Sequence, residues 1–148
     1  MQRLKIAIPD DAPPVMRPSR AYRTLLDRAE VVYYDSLPSS DVELVERVGD
    51  ADGAISIRAS AKFPGAVLRA CPKLQIVSVW GTGTDHVDLA AAAGLGITIT
   101  NTPGVSAIAM AEHALALMLA VARRIPRIDA QTRQGSWPRG LVTQLHGK

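Results

Sequence analysis

The sequence predicts an α/β protein: a five-stranded parallel sheet in the order 2-1-3-4-5, followed by a long Ala-rich crossover helix. Two observations predict this. Five short apolar runs, at 4–8, 31–34, 54–57, 75–79 and 97–100, alternate with segments of helical spacing. Strand–helix alternation of this kind builds parallel sheets from right-handed βαβ units. After the fifth run the pattern stops alternating, and an almost uninterrupted apolar helix takes over at 106–124.

The elements follow in order. The first strand, 4–8, ends at Pro9-Asp10-Asp11. Pro18-Ser19 opens a helix that carries Tyr22, Leu25, Leu26 and Ala29 at helical spacing. The second strand, 31–34, is rich in β-branched and aromatic residues. Ser40-Asp41-Val42-Glu43 has the spacing of a capping box, so a helix should run from there to Val48. The third strand, 54–57, closes on Arg58, and a short helix at 64–70 is ended by Cys71-Pro72. The fourth strand, 75–79, runs into Trp80-Gly81-Thr82-Gly83-Thr84-Asp85-His86-Val87-Asp88. Asp88 should cap a helix at 89–93 with Gly94 as its C′ residue, before the fifth strand at 97–100. The result is a flavodoxin-like layout. Asn101-Thr102-Pro103-Gly104 then reads as a turn. The helix beyond it is apolar nearly all round and expects burial on several sides, or simple burial within one subunit. Pro126 interrupts it, 127–134 can form one more short helix, and 135–140 is irregular.

Composition limits the function classes. Hydrophobic residues make up 47% and charged residues 21% of 148 residues, as in soluble globular proteins. The net charge of +3 is dispersed and aromatics are only 4%, which argues against a nucleic-acid surface. The single cysteine, Cys71, excludes an internal disulfide and reads as a small buried hydrophobe. No signal-peptide core follows Met1, and the apolar helix is short and contains Glu112 and His113, so a cytoplasmic protein off the membrane is expected.

In open parallel sheets ligands bind beyond the carboxyl ends of the strands. The loops expected there are Pro9-Asp10-Asp11, Arg58-Ala59-Ser60, Gly81-Thr82-Gly83 and Asn101-Thr102-Pro103-Gly104. Glycines at 81 and 83 allow positive φ and leave no Cβ to obstruct a ligand, so successive N–H groups can form an anion nest. The competing reading is a strand-exit turn that needs glycine for shape alone. Arg58 would offer a guanidinium fork to a carboxylate, or it is a surface arginine at a strand end. Asp10-Asp11 imitates the acid pair of a response-regulator receiver, but the third strand ends in Arg58 without a phosphoacceptor Asp and the fifth offers no Lys. The acidic, proline-rich segment after the first strand does not suit the phosphate of a flavin. No metal site is expected. His86, His113 and His146 read as structural or solvated.

Taken in order, Ile55-Ser56-Ile57-Arg58, the glycine loop, Asn101-Thr102-Pro103-Gly104, Ala111-Glu112-His113, Arg123-Arg124-Ile125-Pro126 and Gly135-Ser136-Trp137 resemble the D-isomer-specific 2-hydroxyacid dehydrogenases. That family includes phosphoglycerate dehydrogenases and glyoxylate or hydroxypyruvate reductases. The resemblance implies a substrate domain at 1–101, and at 102–148 a crossover helix with the start of the nucleotide-binding domain. It implies that Thr82 and Gly83 hold the substrate carboxylate through their amides and that Arg58 and Asn101 belong to the substrate site. It also implies that Thr82 lies near the nicotinamide of NAD or NADP, and that 106–145 forms a homodimer. Gly147-Lys148 resembles the pair that leads into the family's glycine fingerprint, which these residues do not contain. The family's catalytic Arg, Glu and His therefore find no counterpart here. The expectation is a substrate-binding part of an NAD(P)-dependent oxidoreductase that neither binds the cofactor nor turns over alone; the alternative is a non-catalytic anion-binding or dimerising remnant.

Overall fold

The computed structural model describes residues 3–57 and 59–147; the candidate Arg58 lies outside the described residues. The chain divides into two compact units, Met1–Val105 and Ser106–Lys148.

The first unit is built on β1 (Lys5–Ile8), β2 (Glu30–Tyr33), β3 (Gly53–Ile57), β4 (Ile76–Trp80) and β5 (Thr98–Thr100). They form one parallel sheet in the order β2-β1-β3-β4-β5, as the alternation predicts. Four helices connect them: α1 (Arg20–Arg28), α2 (Asp41–Val48), α3 (Gly65–Ala70) and α4 (Leu89–Leu95). Strand alternation sends side chains to both faces of the sheet. On one face Ala54, Val77 and Val79 meet Leu44 and Val48 of α2, Val67 and Leu68 of α3, and Ala92 of α4, with Phe63 fully buried among them. On the other, Ile8 and Ile57 meet Met16 and the partly buried Tyr22 and Leu25 of α1.

Helix termini follow the sequence with two corrections. Ser40 caps α2 by accepting from the Glu43 amide at 3.2 Å, but Glu43 reaches back to Ser39, whose amide and hydroxyl it accepts at 2.7 and 2.6 Å. With Arg47 added, these donors hold the Glu43 carboxyl down at about 2. Asp88 caps α4 through the Ala91 amide at 2.9 Å. The helix then runs through Gly94 to Leu95, and Gly96, at φ +72°, supplies the left-handed stop expected of Gly94. Every strand start moves by one residue, and so do the ends of β2 and β4, so β4 includes Trp80.

The second unit holds α5 (Ala107–Ala122) and α6 (Ile125–Arg133). Arg124 adopts a left-handed φ of 53° between them, and Pro126 sits in the first turn of α6 rather than before it. In the single chain the apolar helix is not buried: α5 has no buried residue, and Ile108 and Val121 are 77% and 78% exposed. Two helices and an irregular tail do not contain enough mass to surround a helix that is apolar all round. Among the described residues no helix is long and apolar enough to cross a membrane.

Polar groups also enter the core of the first unit. Arg47 is buried and donates to the Pro9 and Ser36 carbonyls. Asp11 accepts from the amides of Val15, Met16 and Arg17 and from the Tyr33 hydroxyl; burial would raise its pKa, but these donors outweigh it and hold the carboxyl below its ordinary value. Asp10 is 1% exposed, and burial dominates there, raising its pKa from 3.8 to about 6.

Phe63→Ala should lower stability by about 3–5 kcal/mol, read from urea midpoints, because it empties a fully enclosed site. A raised folded-state pKa contributes stability below the unfolded value and loses it as pH rises. Measured against Asp10→Asn, the wild type should therefore lose relative stability between about pH 4 and pH 6, by on the order of 3 kcal/mol. Paired melting curves across that range would show it.

Candidate functional site at the carboxyl ends of the strands

Strand register decides which loops meet. Ile57 pairs with Trp80, and Ser78 with Thr100, so the chain leaves β3, β4 and β5 at nearly the same level. Ala7 pairs with Ala54, which brings Asp10, three residues on, beside Ile57.

The glycine loop after β4 is held through its carbonyls. The Thr102 amide donates to the Gly81 carbonyl at 2.9 Å and the Thr102 hydroxyl to the same oxygen at 3.2 Å. The Asn101 side-chain amide donates to the Thr82 carbonyl at 2.7 Å. Farther along, Phe63 and the loop exchange backbone bonds: the Phe63 amide to the His86 carbonyl at 2.7 Å, and the Asp88 amide to the Phe63 carbonyl at 3.0 Å. The carbonyls are thus turned toward protein. The amides of Thr82 and Gly83 bond to no acceptor among the described residues, and both residues are exposed.

Neither glycine of this loop has a left-handed φ, so the expected use of positive φ does not occur. Nor does packing require glycine there. A Cβ on Gly81 would come no closer than 3.9 Å to the Val79 side chain, and one on Gly83 would meet Asp85 at 3.4 Å, an ordinary contact. The fold itself therefore leaves the missing side chains at 81 and 83 unexplained.

Of the predicted site residues, Thr82, Gly83 and Asn101 come together. Asn101 acts on the loop backbone, fixing the Thr82 peptide. Ala59 adopts φ 57°, a conformation that costs a non-glycine residue about 1–2 kcal/mol. The Asp10 carboxylate brackets this turn, accepting from the Ile57 amide at 2.9 Å and the Ala61 amide at 3.3 Å. Ser56 donates to Asp10 at 3.4 Å, and its oxygen lies 3.2 Å from Nε2 of His86. This Asp10–Ser56–His86 chain was not foreseen; an acid directly after β1 and a histidine inside the loop were its only signals. Burial lowers the pKa of His86, with Asp85 acting against it. Burial also raises that of the Cys71 thiol, in keeping with a small core hydrophobe. Among the described residues no group of three His, Cys, Asp or Glu could hold a metal ion.

A dinucleotide's phosphates need free amides at a helix N-terminus. The helix after this loop begins only at Leu89, and the Asp88 carboxylate already occupies its first turn. These residues fit a small carboxylate and do not fit a pyrophosphate.

Residues 11–138 match the family model of the D-isomer specific 2-hydroxyacid dehydrogenase catalytic domain. D-3-phosphoglycerate dehydrogenase of Mycobacterium tuberculosis is 40% identical over 124 residues, covering 82% of this chain and 23% of that protein. A protein of Thermus thermophilus superposes with a TM-score of 0.85 at 33% identity, over 97% of this chain and 46% of that one. The NADPH-dependent glyoxylate/hydroxypyruvate reductase of Sinorhizobium meliloti, solved with NADP and malonate, gives 0.74 at 28% identity, over 99% and 44%. The chain thus spans less than half the length of these relatives. It belongs to the D-isomer specific 2-hydroxyacid dehydrogenase family.

Proposed function

We propose that residues 1–148 are the substrate-binding part of an NAD(P)-dependent D-2-hydroxyacid dehydrogenase, and that the Gly81-Thr82-Gly83 loop seats the carboxylate of a 2-hydroxy or 2-oxo acid. One observation carries this reading. The loop spends its carbonyls on Thr102 and Asn101 while the Thr82 and Gly83 amides stay exposed and unbonded among the described residues. Two amides donating to one carboxylate would each contribute about 1.5–3 kcal/mol. Glycines that the fold does not need are explained by a ligand that does need the space. Arg58, by its place after β3, supplies the positive charge, and Asn101 holds the Thr82 peptide in its orientation.

The nicotinamide, when bound in the whole protein, accepts or gives the hydride. Thr82 is the residue of this chain placed near it. The pyrophosphate has no seat among these residues, so the chain alone binds neither NAD nor NADP and does not turn over. The whole protein works in the cytoplasm as a homodimer joined through 106–145, where the exposed apolar side chains of α5 find cover. A second reading, a non-catalytic remnant that binds anions or dimerises, shares the loop and the helix but requires no cofactor partner.

Glyoxylate added to the ¹⁵N-labelled chain should shift the amides of Thr82 and Gly83, and no shift there would sink the carboxylate assignment. Gly83→Ala should weaken that binding at least several-fold while melting within a few degrees of the wild type, because Gly-to-Ala exchange at a compatible φ is neutral to favourable for stability. NADH fluorescence should not change on adding the chain; micromolar binding would contradict the missing pyrophosphate seat. Sedimentation should give a dimer, and a monomer at high concentration would argue against the 106–145 interface.

A further inference from the structure

The Asp10–Ser56–His86 chain joins the end of β1, the end of β3 and the glycine loop, and the proposed function gives it no task. Ser56 and Asp10 are 0% and 1% exposed, and Nδ1 of His86 is buried without a hydrogen-bond partner among the described residues. A hydroxyl carries a single proton, so the chain can point only one way at a time. While Asp10 is ionised it can only accept. Ser56 then donates to it, Nε2 of His86 donates to Ser56, and Nδ1 is a bare lone pair.

Protonation reverses every bond. Oδ1 of Asp10 accepts from the Ile57 amide at 2.9 Å; Oδ2 accepts from the Ala61 amide at 3.3 Å and, as the oxygen facing Ser56, receives the proton while its remaining lone pair keeps the Ala61 bond. The balanced exchange takes one proton from a hydronium ion, which leaves as water, onto Nδ1. The Nε2–H bond breaks as its proton passes to Oγ of Ser56, and the former Ser56 proton passes to Asp10. The imidazole is neutral before and after, with its proton moved from Nε2 to Nδ1, and the negative charge is gone.

We propose that Asp10, Ser56 and His86 form a proton relay that sets how strongly the glycine loop holds a carboxylate, with His86 as its positioning residue. The effect on carboxylate affinity rests on the reading of the loop given above; the relay itself does not. An ionised, enclosed carboxylate tied to the loop by two hydrogen bonds opposes an arriving anion. A neutral one does not. Burial disfavours the charged form of both groups, raising Asp10 to about 6 and lowering His86, so the enclosed chain favours a neutral carboxyl beside a neutral imidazole. The charged neighbours are Asp11 beside Asp10, Asp85 beside His86, Arg47 on the Pro9 carbonyl with its partner Glu43, and Lys62 next to Phe63. None of these lies between the three relay groups in the hydrogen-bonded chain.

The test is a pH titration of the chain with ¹⁵N-labelled histidine, with His86→Gln identifying the His86 signals. Wild-type His86 should carry its proton on Nε2 near neutrality and on Nδ1 as pH falls through about 6. Asp10→Asn, whose amide can donate to Ser56, should hold the Nδ1 tautomer at every pH. Ser56→Ala should abolish the exchange. A single tautomer in the wild type throughout, or a Ser56→Ala titration like that of the wild type, overturns the relay. Glyoxylate, ionised throughout this range, should bind the wild type about tenfold more tightly near pH 5 than near pH 7, and Asp10→Asn equally at both. Binding without pH dependence overturns the coupling. If the tautomer inverts but Thr82 and Gly83 never respond to glyoxylate, the loop assignment fails and the relay stands.

Discussion

The parallel register of β1, β3 and β4 is the constraint on which the rest of the first unit depends. Parallel pairing fixes where each strand ends relative to its neighbour, so that β3 and β4 end level and the residues just beyond β1 lie beside them, which creates a shared rim. A shift of one residue in β1 would carry the Asp10 carboxyl away from the Ile57 and Ala61 amides. It would also turn the alternating apolar residues of β1 to the wrong faces of the sheet. The register in turn rests on packing: Ile8 and Ile57 lie against α1 while Ala54 and Val77 lie against α2 to α4.

On that frame the rim divides its hydrogen-bonding groups. Carbonyls of the glycine loop are consumed by Asn101 and Thr102, and its later part is bound to Phe63. What faces outward is a pair of amides. For the carboxylate seat proposed above, this amounts to electrostatic preorganisation of a modest kind, since donors already in place need no reordering. The same rim contains the enclosed Asp10 carboxylate, which keeps the strained Ala59 turn in position.

Much of the first unit was legible in the sequence because its signals are local and agree with one another. Strand–helix alternation gave the topology, and Ser19, Ser40 and Asp88 marked helix starts that the side chains do cap. Gly94 and Gly96 show where local reading fails. Both fit a helix end, and only the packing of Ala92 and Ile97 decides that the helix continues past the first. The loop glycines failed differently: the composition suggested positive φ, yet the turn closes with ordinary dihedrals because Thr102 and Asn101 supply the bonds. The Asp10–Ser56–His86 chain was hidden because its members lie 46 and 30 residues apart and meet only through strand register.

The backbone pairing between Phe63 and residues 86–88 has an evolutionary consequence. Main-chain bonds do not depend on which side chain stands at Thr84 or Asp85, so the loop keeps its course when those residues change. Its outward-facing positions can then vary one at a time, each variant altering the shape offered to a ligand while the amide pair stays put. A frame of that kind lets the outer face of the loop diversify by single substitutions without passing through an unfolded intermediate sequence.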